Sequence, residues 1–480
     1  MADSREVKLR NILAYGSGDF FGGGSFLIIS TLFMVFLINV AKIPPQYAGL
    51  IVMIGKAWDA ISDPLVGILS DRSKSKYGRR HVFFLYGIVP VAISYYLLWS
   101  AVQFDSLVFK IIYYTFTYSL FSTVFTVVMV PYNALVTEMS TDYKTRTRLS
   151  GAKMAFSQFS ALIAGTIPSY IVNNMYKDNP EAGFRLVGLI FGILYAIPWI
   201  IVFFGTFEQP GLNKDRTALP IKENFKQLKT LLENKTFKVH IGMYLLAYVA
   251  MDILSTSFIF YTTYYIGRPE KFYFYLGIFL LSQLCALGFY MHIANKIGKG
   301  KTYRIGATIV VAVMLAFFFL LKPQTPNYII YILCIVMGIG FSAIISMPWA
   351  MLPESCEVEI LYHERDRSGA VAGMFTLIRK LIQAVVLWLF GMALATFGFD
   401  GSAAIQGDTA VMAIRVSFTF IPLILMIFGV LLSFIYKVTP KTFQIAQDEI
   451  KRIKDGGIRK DITDENRIIV EQLTGHPYID

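Results

Sequence analysis

The sequence predicts an all-α polytopic membrane protein whose twelve transmembrane helices form two six-helix bundles. Three observations predict it. The 480 residues are 55% hydrophobic and only 16% charged, with a mean hydropathy of +0.55, more apolar surface than a soluble protein hides behind so few charges. Apolar segments long enough to cross a bilayer recur along most of the chain. A polar connector divides them six and six.

The segments fall near 11–40, 45–69, 82–101, 106–135, 150–173, 186–208, 238–264, 271–295, 302–321, 326–353, 368–396 and 410–437, with wet or broken turns expected in the first, fourth and tenth. The leading MADSREVKLRN is followed by no small-residue cleavage pattern, so the first segment is expected to be retained. Domains follow: an N-terminal bundle over 1–208, a linker over 209–237, a C-terminal bundle over 238–437 and a tail over 438–480.

Lys and Arg fix the expected orientation. The loop after segment 2 holds Arg72, Lys74, Lys76, Arg79 and Arg80; the loop after segment 4 holds Lys144, Arg146 and Arg148; the loop after segment 8 holds Lys296, Lys299 and Lys301. The alternate loops are poor in such residues, which puts both termini in the cytoplasm of a cell with the protein in its plasma or inner membrane. The net charge of +12 then reflects basic loops at an anionic leaflet and calls for no nucleic acid. Cys285, Cys334 and Cys356 show no paired spacing and read as packing residues. His81, His240, His292, His363 and His476 are scattered, without HxxxH or CxxC spacing, so no zinc site, enzyme cofactor or nucleotide motif is expected.

Within the linker, Phe225, Leu228, Leu231 and Leu232 make an apolar stripe, and seven basic residues between 214 and 238 keep it cytoplasmic. The halves echo each other. In 130-VPYNALVTE-138 and 347-MPWAMLPE-354 the prolines Pro131 and Pro348 align, as do Glu138 and Glu354 with a one-residue gap, and 67-GILSDRSKSKYGRR-80 has a weaker echo in 293-IANKIGKGKTYR-304. A duplicated six-helix unit is what a rocking transporter requires.

The chemistry concentrates in 56-KAWDAISDPLVG-67, where Asp59 and Asp63 share one helix face. An ionised carboxylate inside a bilayer costs several kcal/mol, so the pair either binds a cation, shares a proton, or pairs with a base such as Lys56 or Lys380. Asp19, the only charge between Arg10 and Lys42, precedes 22-GGG-24; it wants a polyol, a cation, or a partner such as Lys153. Asp252 in segment 7 either binds solute or satisfies neighbouring hydroxyls. Arg379 and its neighbour Lys380 point about 100° apart on one helix, and Arg379 reads as an interfacial side chain snorkelling to water. Tyr15, Tyr132, Trp349, Thr376 and Gln383 are further cavity candidates, with aromatic faces suited to sugar rings.

The motif GxxxDRxxxxxGRR, the six-plus-six plan and the linker resemble the major facilitator superfamily. More narrowly, 16-GSGDFF-21, 58-WDAISDPLVGILSDR-72, 131-PYNALVTEMSTDYKTRTRLSGAKM-154 and the lysine of 374-MFTLIRKL-381 resemble the glycoside-pentoside-hexuronide:cation symporter family, the melibiose permease group, over residues 11 to 437. The resemblance implies a cation-coupled secondary symporter of a glycoside or related sugar, functional as a monomer. It implies coupling-ion ligands at Asp59 and Asp63, the ion being Na⁺ or H⁺; the Thr126 hydroxyl can serve as a further hard oxygen ligand. It implies a solute contact at Asp19 and matches Lys380 to a family lysine that approaches the cation site; Tyr132, Asn133, Lys153, Trp349, Lys380 and Gln383 complete the expected solute contacts. It also implies a gating network of Asp71, Arg72, Arg79 and Arg80, with Glu138, Asp142, Arg146 and Arg148 as partners. Three positions depart from the family pattern: Met129 stands where an acid is expected, Asn133 replaces an aromatic, and Lys153 replaces an arginine whose rigid fork a lysine does not reproduce. These departures raise the alternative of a lysophospholipid or other amphiphile carrier. A receptor or a membrane enzyme is disfavoured by the duplicated halves and the lack of a clustered nucleophile and base.

The tail is too polar to span. Ala446, Ile450 and Ile453 suggest an amphipathic helix broken at Gly456-Gly457 and resumed around 465–472, packed beneath the bundle.

Overall fold

A chain segment in hydrocarbon must satisfy its own backbone hydrogen bonds, so apolar runs of this length become helices. The computed structural model describes residues 6–73, 75–140, 143–209, 233–363, 368–403 and 405–478. Among them are twelve long helices and no β-strand. They are α1 (Leu9–Phe33), α2 (Pro45–Arg72), α3 (His81–Leu98), α4 (Leu107–Met139), α5 (Tyr143–Tyr170), α6 (Pro180–Gly205), α7 (Lys235–Phe260), α8 (Phe272–Ile297), α9 (Lys299–Phe319), α10 (Asn327–His363), α11 (Ser368–Thr396) and α12 (Asp408–Ile435). Eleven are long and apolar enough to cross a membrane on those grounds alone. The other, α2, carries Lys56, Asp59 and Asp63 in its middle; its 28 residues reach about 42 Å at 1.5 Å per residue, enough to span.

The ends differ from the apolar segments where caps decide them. Helix α6 starts at Pro180 because the Asn179 side chain accepts from the Ala182 N–H at 3.1 Å and proline suits the first turn. Helices α4 and α10, expected to break, run on through Pro131 and through Pro348 and Pro353. Helix α1 does break: its first stretch, Leu9–Ser17, ends at Gly18, a new one starts at Asp19, and wide π-turns follow at Ile29–Phe33 and Phe36–Val40. The glycines after Asp19 bring α1 against α5, where a Cβ on Gly23 would collide with Ser157 and one on Gly24 with Ser160.

Two compact units divide the chain. The first comprises Met1–Ala218, Ser255–Gly277 and Lys380–Ile414; the second comprises Leu219–Leu254, Ile278–Arg379 and Arg415–Asp480. The first unit packs α3 on α6, α2 on α4 and α1 on α5 around an aromatic core in which Trp99 stacks on Phe184 and Phe33 on Tyr118. It also takes in the end of α7 and most of α11, so this division does not follow the midpoint of the chain. The second unit packs α9 on α10 and holds a cluster of Phe237, Ile241, Tyr244, Cys356 and Phe375.

The tail belongs to the second unit as α13 (Pro440–Lys454) and α14 (Asp464–Thr474). Ala446 is fully buried. Thr236 Oγ1 donates to the Leu473 carbonyl, Gln447 to Glu357, and the Tyr478 hydroxyl to Glu449, which seats the tail against the start of α7 and the end of α10. The linker stripe of Phe225, Leu228, Leu231 and Leu232 lies outside the described residues. Cys334 and Cys356 are buried free thiols, whereas Cys285 is exposed.

Candidate cation and solute sites

Asp59 and Asp63 lie one turn apart on α2, and both reach the same amine. Lys380 Nζ, from α11, is 2.9 Å from Asp59 Oδ2 and 2.5 Å from Asp63 Oδ2. The opposite oxygens face α4: Thr126 Oγ1 lies 3.2 Å from Asp59 Oδ1 and 2.9 Å from Asp63 Oδ1. One hydroxyl has one proton, so Thr126 serves only one carboxylate at a time. Ser62 Oγ stands 3.3 Å from Thr126 Oγ1 and donates to the Asp59 carbonyl at 3.1 Å. The result is a ring of oxygens with an ammonium at its mouth, all within the first unit. Asp59 is wholly buried, while about a third of the Asp63 side chain remains exposed. Lys56, the other base considered, places its ammonium 3.6 Å from the centre of the Phe26 ring.

With both acids ionised, two carboxylates and one ammonium carry one net negative charge; with one proton shared between the acids the charges balance. Ser62, which the sequence places between the two acids, adds a hydroxyl to this ring.

Asp19 sits at the restart of α1, buried, with Lys153 of α5 at 3.9 Å. Lys153 Nζ also donates to Asn133 Oδ1 at 2.5 Å, so Asp19, Lys153 and Asn133 form one polar group. Tyr132 lies against it, with the Lys153 ammonium 5.5 Å from the centre of its ring. Its ring is fully buried, stacked at 4.7 Å on Tyr15, and its hydroxyl donates to the Tyr15 carbonyl at 2.7 Å. Neither ring is exposed, and Tyr132 adjoins the polar group through Lys153. On the same helix as Lys153, Met154 and Phe159 expose more than half their surface. Met129 is buried against Gly22.

In the second unit, Asp252 of α7 pairs with Arg379 at 3.4 Å. The guanidinium lies 4.3 Å from the centre of the Tyr248 ring, and Tyr248 accepts a 2.7 Å hydrogen bond from Trp349 Nε1. Arg379 thus does not snorkel outward: an acid and an aromatic face hold it in the protein, a pairing between residues far apart in sequence. Trp349 keeps 42% of its surface exposed, Thr376 is exposed and Gln383 is buried.

The basic loop after α2 closes on its own unit. Glu138 receives Arg79 at 2.6 Å and Arg80 at 3.0 Å, and Arg80 also donates to Ser70. Arg72 is exposed; the Asp71 side chain and Asp142 lie outside the described residues. Glu208, which sequence reasoning missed, accepts from the backbone N–H groups of Arg79, Arg80 and His81 and lies 2.8 Å from His81 Nδ1. Burial alone would raise the Glu208 carboxyl; His81 and the backbone donors outweigh it and bring its pKa down to about 2. In the second half the aligned acid Glu354 is held by Lys299 at 2.8 Å, so the sequence echo extends to its ion pairs. Among the described residues no group of three or more His, Cys, Asp or Glu could hold a metal.

The family profile described as MFS/sugar transport protein matches residues 14–440. The "Uncharacterized symporter sll1374" of Synechocystis sp. is 27% identical, covering 89% of this chain and 94% of its own. The "Sodium-dependent lysophosphatidylcholine symporter 1-A" of Danio rerio is 22% identical, covering 87% and 84%, and the "Inner membrane symporter YicJ" of Escherichia coli is 23% identical, covering 88% and 90%. Among solved structures, a bacterial homolog to the human lysosomal transporter Spinster, inward-facing and unoccupied, matches with a TM-score of 0.65 at 14% identity, covering 93% of this chain and 99% of that one. The inward-open xylose transporter XylE from E. coli matches at 0.63 and 14%, covering 92% and 98%. At such identities these likenesses carry the fold, two pseudo-symmetric six-helix bundles.

Proposed function

Because the chain belongs to the MFS/sugar transport protein family and holds an amine where two membrane-embedded acids converge, we propose that it is a cation-coupled symporter working by alternating access. It is a multi-pass membrane transporter of the major facilitator fold, not an enzyme. The bridging of Asp59 and Asp63 by Lys380 carries the reading. Lys380 is a tethered stand-in for the transported ion: it neutralises the acids when the ion is absent and is displaced when the ion arrives. Two carboxylates and the hydroxyls of Thr126 and Ser62 are hard oxygen donors of the kind Na⁺ takes, and relatives bearing the name "sodium-dependent" favour Na⁺ over H⁺. Coupling follows if solute and ion each bind better when the other is present.

For the solute we favour an amphiphile with a charged or zwitterionic head, such as a lysophospholipid. Asp19, Lys153 and Asn133 would meet the head, and Met154 and Phe159 the apolar part. The lysophosphatidylcholine symporters among the relatives support this. A sugar is the second reading, favoured by the family description and by the WDAxxDP motif shared with the melibiose permease group. The basic loops mark the cytoplasmic end. At the other end Gly391 meets Pro45 so closely that a Cβ would lie 2.5 Å from the Pro45 carbonyl oxygen, and Asn39 donates to the Tyr264 hydroxyl at 2.7 Å; we read these contacts as a closed outer gate.

The test is uptake into proteoliposomes of lysophospholipids and sugars, with Na⁺ and H⁺ gradients imposed separately. A Na⁺ gradient is expected to drive lysophospholipid accumulation. Asp59→Asn and Asp63→Asn are each expected to abolish uphill uptake while leaving exchange; undiminished accumulation in both would remove the cation site.

A further inference from the structure

The start of α9 and the end of α12 enclose a cavity of about 260 Å³ whose lining shares no residue with the sites above. Its charged residues are Lys301, Arg304 and Lys437, and the lining has no acid. Among the described residues the ammonium groups of Lys301 and Lys437 have no partner. Arg304 is fixed: it donates to the Ser433 hydroxyl and carbonyl at 2.9 Å, and its guanidinium lies 3.5 Å from the centre of the Phe434 ring. Lys299 is turned away to Glu354 and the Ala350 carbonyl, so the neighbouring acid is neutralised outside the cavity.

The backbone adds to this positive field. Helix α9 begins at Lys299, just after Gly298, whose φ of 91° favours glycine, and no side chain caps it. Its first N–H groups therefore lack an intrahelical acceptor and point the positive end of the helix toward the lining. A free anion would need only these charges. Here the cavity also adjoins apolar surface on a membrane-spanning helix, where Phe434 and Ile435 expose 54% and 46% of their surface. Basic pockets between transmembrane helices at an anionic leaflet are suited to lipid headgroups.

We propose that this cavity binds the phosphate of an anionic phospholipid from the surrounding bilayer, between Lys301, Lys437 and the first turn of α9, with its acyl chains along Phe434. The site is separate from solute transport and would anchor the second unit to its leaflet.

Native mass spectrometry of the full chain, titrated with phosphatidylglycerol, phosphatidylcholine or glycerol phosphate, tests it. Wild type is expected to retain phosphatidylglycerol with about tenfold preference over phosphatidylcholine, undisturbed by equimolar glycerol phosphate. The exposed pair Lys301→Glu with Lys437→Glu should abolish that preference, while Lys441→Glu with Lys451→Glu, on the surface of α13, should leave it. No preference in wild type, equal loss in both double variants, or displacement by glycerol phosphate would each overturn the proposal. Should the first variant fail to fold, a photoactivatable phosphatidylglycerol on wild type decides: label within 297–304 and 433–439 supports the site, and label confined elsewhere overturns it.

Discussion

Two adjacent residues of α11, Lys380 and Arg379, meet buried acids in quite different company. Lys380 serves two carboxylates and a shared hydroxyl, so with both acids ionised a negative charge is left over and the amine, a flexible point charge, has a rival in any cation that enters. Arg379 serves one carboxylate and rests on a tyrosine ring, so the charges cancel and the planar guanidinium is clamped. On the proposed function, charge count and ligand rigidity, more than burial, separate the proposed ion site from a fixed brace.

The largest effect should come from deleting the amine. Lys380→Met leaves two uncompensated acids in the bilayer, and uphill uptake in proteoliposomes is expected to fall more than about 100-fold while equilibrium Na⁺ affinity rises, because the competitor is gone. Unchanged Na⁺ affinity would break the comparison. Arg379→Gln takes the guanidinium from Asp252 and should lower stability, by at most about 3–5 kcal/mol, measured by thermal unfolding in detergent, while uptake by the folded fraction stays Na⁺-dependent. Loss of coupling at normal stability would make the second pair part of the ion site. Thr126→Val removes one oxygen and should weaken Na⁺ binding by about tenfold, a loss of about 1.4 kcal/mol, with Thr126→Ser close to wild type.

The smallest effect lies at Glu208. Its folded pKa of about 2 is below the ordinary 4.5, so its contribution to stability is present above pH 4.5 and lost as pH falls toward 2. The melting-temperature gap between wild type and Glu208→Gln should be widest near neutrality and narrow through that window. A gap that stays constant would mean that the carboxylate's charge is not what holds the loop.

What was legible in the sequence follows the range of each interaction. The spans were readable because hydropathy is a local property, and the Asp59 and Asp63 face because helical period places i and i+4 together. Lys380 could be named but not placed, since its contact closes a separation of more than 300 residues. Tyr132 and Tyr15 looked like ring platforms, yet their partners are each other; a sequence cannot say which of two aromatic neighbours consumes the other's face. Arg379 was misread for the same reason, its acid lying four helices earlier. Glu208 gave no signal because its partners are mainly backbone N–H groups, which every residue possesses.

Helix α10 carries a further consequence. Pro353 has no N–H to offer the Trp349 carbonyl one turn back, and the carbonyls on either side of that one are each held by a side chain: His240 Nε2 donates to Pro348 at 2.7 Å and Lys299 Nζ to Ala350 at 2.7 Å. The interruption is therefore splinted by two neighbouring helices. Amide deuterium uptake over 350–356 should stay slow in the intact protein and quicken when either splint is removed, so a proline pair that reads as a hinge in the chain behaves as a set joint.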